Sequence, residues 1–306
     1  MSSPTGPESG LPVRMPRPRQ PGRHRRPEPA VAPEGAPALV LAVPGTPSSG
    51  ARSLAEEVTS IARSELPGLD ALIGYVDGDG EEYPSLQTVL AQRAQQRTAR
   101  YEQALAAGVE AAEPQGPAAV VVPLLAGPDN TLTDRIRQAV VDSGAPAELT
   151  DVLGPHPLLA EALHVRLSEA GLSRADRARL FTVATAADGI ILATSGGEEA
   201  VQAAGITGML LAARLAVPVL AAALDEPGSV AAVAEQLRGS GSVQLALAPY
   251  VIGPEAAEGL LDAAAKEADC SAAEPLGAYP AIGKLALSNY MNALGIAPQQ
   301  AGAPTH

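Results

Sequence analysis

The amino-acid sequence predicts an α/β protein made of two duplicated three-layer αβα halves, with parallel sheets facing a central cleft. Two observations carry this expectation. Short aliphatic runs alternate with segments of helical period along most of the chain, and such alternation implies parallel strands joined by right-handed crossovers. The pattern then begins again in the second part of the chain, with three anchor segments repeated in the same order.

The elements follow in sequence. Ala38 to Val43 is an aliphatic run broken by Pro44-Gly45-Thr46-Pro47, after which Leu54, Val58 and Ile61 recur at helical spacing. That reads as strand, tight turn, helix. Strands are then expected at 71–76, 118–125 and 146–152, and helices at 84–107, 131–141 and 157–170, so four βα units make the first half. Pro84 and Pro157 are expected at helix starts, where the missing N–H costs nothing. After a polar, Arg-rich connection at 173–179, the next strand is expected at Gly189 to Ala193.

Three anchors define the repeat. Residues 38–45 match 189–196, residues 123–129 match 249–255, and Leu-Gly-Pro-His-Pro at 153–157 matches Leu-Gly-Ala-Tyr-Pro at 276–280. The chain therefore divides into a Pro- and Arg-rich tail (1–37), a first half (38–172), a second half (173–293) and a Pro-, Gly- and Gln-rich end (294–306), both tails being expected to be disordered.

Composition excludes several function classes. Of the net charge of −13, the first 37 residues contribute +3 through six arginines and three glutamates, which leaves −16 on the rest. A body that acidic, with 2% aromatic residues and no Trp, lacks the basic face and stacking rings that nucleic acid requires. No apolar run approaches the roughly 20 residues of a membrane span, and no apolar segment of signal-peptide type opens the chain, so the expected compartment is the cytoplasm. The single cysteine, Cys270, supports neither an intrachain disulfide nor a multi-cysteine metal site and reads as a small core residue.

Parallel sheets bind ligands beyond the carboxyl ends of their strands. The residues expected there are Pro44, Gly45, Thr46, Asp77, Gly127, Thr131 and His156 in the first half, and Ser195, Gly196 and Gly253 in the second. The turn Thr194-Ser195-Gly196-Gly197 before a helix is a phosphate-cradle pattern in miniature, but Glu198 and Glu199 already bring negative charge there. Lys266 and Lys284, the only lysines, fall at no strand end.

The duplicated βα halves, the turn at Gly45, the Val-Val-Val-Pro-Leu-Leu run ending at Leu125, and the 153–160 segment together resemble the sirohydrochlorin chelatases of the CbiX/SirB class, in their two-domain actinobacterial form. The resemblance covers about residues 38–293. It implies a lyase of sirohaem or cobalamin metabolism that inserts Co²⁺ or Fe²⁺, as substrate metal, into a tetrapyrrole held between the halves. The resemblance also implies where the metal ligands should stand. The family's first histidine position corresponds to Pro44 and its second to Thr131, so neither imidazole is present, and proline and a threonine hydroxyl are poor replacements. The family's acidic residue corresponds to Asp77, the expected catalytic carboxylate.

Four histidines remain. His24 and His306 fall in the tails, His164 lies off the Leu159, Leu163 and Leu167 stripe and is expected to face solvent, and His156 reads as a loop-filling ring whose repeat counterpart is Tyr279. Asp129 and Asp134 are candidate oxygen donors, although aspartate at a helix start is commonly a cap. Two readings stand: an enzyme using Asp77, Asp129 or Asp134 with His156, or a non-catalytic scaffold that holds a tetrapyrrole or a protein partner.

Overall fold

The computed structural model describes residues 31–33, 35–110, 113–173 and 186–296. The expected tails and His24 and His306 therefore lie wholly or largely outside the described residues. The first half runs β1 (Ala38–Val43), α1 (Ser49–Glu65), β2 (Ala71–Tyr75), α2 (Leu86–Ala106), β3 (Ala119–Pro123), α3 (Asn130–Asp142), β4 (Ala147–Leu149) and α4 (Pro157–Glu169). The second runs β5 (Gly189–Thr194), α5 (Gly197–Leu215), β6 (Val219–Ala223), α6 (Ser229–Gly239), β7 (Leu245–Pro249), α7 (Leu260–Glu267), β8 (Ser271–Ala272) and α8 (Pro280–Ala293).

Both sheets are parallel and share one topology, β2-β1-β3-β4 and β6-β5-β7-β8. The duplication holds in register. Val43 pairs with Tyr75 as Thr194 pairs with Ala223, and Ala42 pairs with Pro123 as Ala193 pairs with Pro249. The third anchor obeys the same rule, since the Leu153 N–H donates to the Leu125 carbonyl and the Leu276 N–H to the Val251 carbonyl, each at 3.0 Å.

The central strands β1, β3, β5 and β7 are buried along their whole length, which is why they read as unbroken aliphatic runs rather than alternating ones. Helices cover both faces of each sheet. On sheet A, α2 and α3 pack over Val40 and Val121, while α1 and α8 cover the side carrying Leu39 and Leu41. On sheet B, α6 and α7 cover Ile191 and Leu247, and α4 and α5 cover the side carrying Ile190 and Leu192.

The last helix of each half is thus exchanged. Helix α4 follows a strand of sheet A yet packs on α5 and β7, whereas α8 follows a strand of sheet B yet packs on α1, β1 and β3. Reciprocal polar ties fix the exchange. Arg166 of α4 donates through Nε and Nη2 to the Leu276 carbonyl at 3.2 and 2.9 Å, and Asn289, at the equivalent place on α8, donates to the Asp151 and Val152 carbonyls at 3.0 and 3.3 Å.

This exchange corrects one expectation. His164 is 5% exposed rather than solvent-facing, and its Nδ1 accepts a hydrogen bond from Arg214 Nε at 2.9 Å. The apolar stripe of α4 predicts one buried face, but a helix clasped by α5, α8 and sheet B buries more than one. Pro84 is a smaller correction. Ser85 takes the cap position by accepting from the Thr88 N–H at 3.2 Å, so the helix starts at Leu86 and Pro84 stands just before the cap, while Pro157 does occupy the first turn.

Candidate functional site

The carboxyl ends of both sheets bring the loops after β1, β3, β5 and β7 together. Gly45 has a left-handed backbone (φ 81°), and a Cβ built on it would overlap the Pro254 carbonyl oxygen. Gly196 (φ 109°) makes the equivalent approach, with its Cβ position 2.5 Å from the Pro128 oxygen and 2.9 Å from Asp129 Cα. Gly45 and Gly196 are repeat counterparts, as are Pro254 and Pro128. Gly45 and Gly196, two of the four glycines predicted at the cleft, therefore serve main-chain contact between the halves.

An aromatic ring fills the space beside these contacts. Tyr250, 1% exposed at the end of β7, lies against Gly127 and Gly154, and its hydroxyl accepts from Thr207 Oγ1 at 3.2 Å. Burial pushes its pKa up to about 12, so the phenol stays protonated across the ordinary pH range. The repeat counterpart is Leu124, and the second half thus sends a ring where the first has an aliphatic side chain.

The nearby carboxylates are engaged. Asp77 pairs with Arg135 of α3. Asp129 caps α3 by accepting from the Leu132 N–H at 2.9 Å, and Asp134 pairs with Arg137. Asp225 accepts from the Gly196 and Gly197 amides at 3.2 and 3.4 Å, so the phosphate-cradle pattern after β5 already holds a carboxylate of the chain itself. Sequence reasoning missed Asp225, although it stands two residues beyond β6 as Asp77 stands two beyond β2.

Glu255 was missed as well. Its carboxyl accepts from the Ile252 and Gly253 amides at 2.5 and 2.8 Å. Burial raises its pKa to about 7 against the lowering effect of these amides, and the negative charge of Asp129 in the other half adds to the rise. The sequence did contain a signal for it, because Glu255 is the repeat counterpart of Asp129.

The remaining predicted residues are dispersed in role. Pro44 is buried, Thr46 is exposed, and Thr131 is exposed on the first turn of α3. His156 is half-buried and caps α4, its Nδ1 accepting from the Leu158 N–H at 3.1 Å; desolvation lowers its pKa. Tyr279 holds the equivalent cap position of α8 without a side-chain bond. Ser195 contributes its carbonyl to Thr194 Oγ1 at 3.3 Å, and Gly253 lies near Leu54. Among the described residues, no three His, Cys, Asp or Glu side chains cluster closely enough to hold a metal ion.

Comparison with solved structures decides the fold. The sirohydrochlorin chelatase SirB from Bacillus subtilis subspecies spizizenii, solved in complex with cobalt, is similar with a TM-score of 0.53 and 11% identity over 84% of this chain and 95% of that one. CbiX, the terminal enzyme of sirohaem biosynthesis in denitrifying bacteria, gives a TM-score of 0.53 and 14% identity over 84% of this chain and 99% of that one. This is a chelatase-like fold. No protein-family model matches the sequence, and no curated protein matches it. Within the chelatase-like fold the described helices include none long and apolar enough to cross a membrane.

Proposed function

We propose that this chain is a non-inserting member of the sirohydrochlorin chelatase family, a scaffold of tetrapyrrole metabolism that acts by binding in the cytoplasm rather than by metal insertion. The observation that supports the reading is the contact of Gly45 with Pro254 and of Gly196 with Pro128, which brings main chain of the two halves together at the strand ends where the family resemblance would seat a macrocycle. Side-chain chemistry supports it. Insertion needs a ligand that holds the divalent ion and bases that take the macrocycle's protons. On the resemblance, the family's histidine positions fall on Pro44 and Thr131, and neither side chain does either task. Asp77 is paired with Arg135, and Asp129 and Glu255 are bonded to main-chain amides.

The test is direct. Sirohydrochlorin and Co²⁺ are mixed with the purified full chain, and cobalt insertion is followed by the change in macrocycle absorption. The expected rate equals the spontaneous one. A rate above it that falls with Asp77→Asn or His156→Ala would overturn the proposal and restore the enzyme reading.

A further inference from the structure

The chain contains three Asp–Gly bonds, Asp77–Gly78, Asp79–Gly80 and Asp188–Gly189. This dipeptide has a chemistry of its own, because glycine carries no Cβ to shield its amide nitrogen from the aspartate carboxyl beside it. The fold around each bond decides whether the two groups can meet.

Two of the bonds are protected. The Asp188 carboxylate accepts from the Val243 N–H at 2.9 and 3.0 Å and from the Gln244 N–H at 2.8 Å, while the Gly189 N–H donates to the Gln244 carbonyl at 3.3 Å where β5 begins. Both reacting groups are therefore occupied. Asp77 pairs with Arg135, and the Gly78 N–H donates to the Tyr75 carbonyl at 3.3 Å. Gly78 is also wedged: a Cβ built on it would overlap the Tyr83 oxygen and stand 2.8 Å from Tyr75 Cβ, so its peptide has little room to turn.

Asp79–Gly80 has neither protection. Both residues are exposed in the loop from β2 to α2, and nothing lies within 4 Å of the Gly80 Cβ position. Among the described residues, nothing pairs with the Asp79 carboxyl or accepts from the Gly80 N–H. We propose that Asp79 is a self-modification site, at which the Gly80 nitrogen closes on the side chain and converts the aspartate to isoaspartate. The N–Cγ bond forms as one Cγ–O bond breaks, and that oxygen leaves as water with the amide proton and the carboxyl proton. A second water opens the cyclic succinimide. Attack at the main-chain carbonyl carbon of Asp79 breaks its bond to nitrogen, and the chain then runs through Cβ and Cγ. Water leaves and water returns, so no other reactant is needed. Asp77 on Arg135 and Glu82 on Arg52 pin the loop on either side, which confines the added main-chain methylene to the rim beside Asp77. This inference goes beyond the proposed function and holds whether or not a tetrapyrrole binds.

The test incubates the full chain for several weeks at neutral pH and physiological temperature in water enriched in the heavy isotope of oxygen, which ring opening writes into the modified residue. Tandem mass spectrometry after digestion at mildly acidic pH then reads each site. Label at Asp79 should exceed that at Asp77 or Asp188 at least about tenfold, the factor implied by breaking one hydrogen bond to a charged group. Asp79→Glu, whose longer side chain closes the equivalent ring far more slowly, should lose the label while leaving circular dichroism unchanged. In urea the three sites should label alike, because the protection of Asp77 and Asp188 is structural. An unlabelled Asp79, equal label at Asp77 or Asp188 in the native chain, or a preference for Asp79 that survives in urea would each overturn the proposal.

Discussion

Gly45 rests on the main-chain carbonyl of Pro254, which joins the turn after the first strand of one sheet to the loop after the third strand of the other. Because the neighbour is backbone, it has little room to yield. Gly45→Ala should therefore cost about 1–2 kcal/mol for the left-handed backbone and about 1–3 more for the overlap. Gly228→Ala is the control, since Gly228 has φ 82° but nothing within 4 Å of its Cβ position. Urea denaturation of both variants should show the excess at Gly45 alone.

Glu255 gives a pH dependence. Its folded pKa, about 7, lies above the ordinary 4.5, so the native state keeps a proton that the unfolded state releases. Stability from this group is fully present below about pH 4.5 and is lost as pH rises through 7, by at most on the order of 3 kcal/mol. In urea denaturation between pH 5 and 8, Glu255→Gln should remove that slope, relative to the parent chain. An identical slope in both proteins would disprove the assignment.

Tyr250 separates packing from hydrogen bonding. Tyr250→Phe removes the acceptor of Thr207 Oγ1 and should cost about 1 kcal/mol. Tyr250→Ala empties the space against Gly127 and Gly154 and should cost about 3–5 kcal/mol. Thermal melts that rank the two substitutions equally would contradict the ring's role as a wedge.

The strands and the repeat were legible because they rest on local periodicity and on recurring turns. The anchors at Gly45, Gly127 and Leu153 return at Gly196, Gly253 and Leu276, and the strands leading into the first two anchors pair in the same register in both sheets. His164 was not legible, for its burial comes from the exchange of α4 onto sheet B, and helical period cannot say which sheet a helix will choose. The site was readable only as a set of loops. Glycine at 45 or 196 predicts a tight turn equally well whether a ligand or another loop approaches it. That Asp225 and Glu255 would satisfy nearby amides depends on turn geometry, which residue identity does not specify.

The exchanged helices bear on the order in which the protein is made. Among the described residues, the strands of sheet A are complete once synthesis passes Leu149, but the side carrying Leu39 and Leu41 needs α8, which follows β8. Ile282, Leu285 and Tyr290 of that helix, each at most 3% exposed, arrive more than 130 residues later. The first sheet therefore leaves the ribosome with part of its apolar surface uncovered, and its native closure waits until the second half has been made.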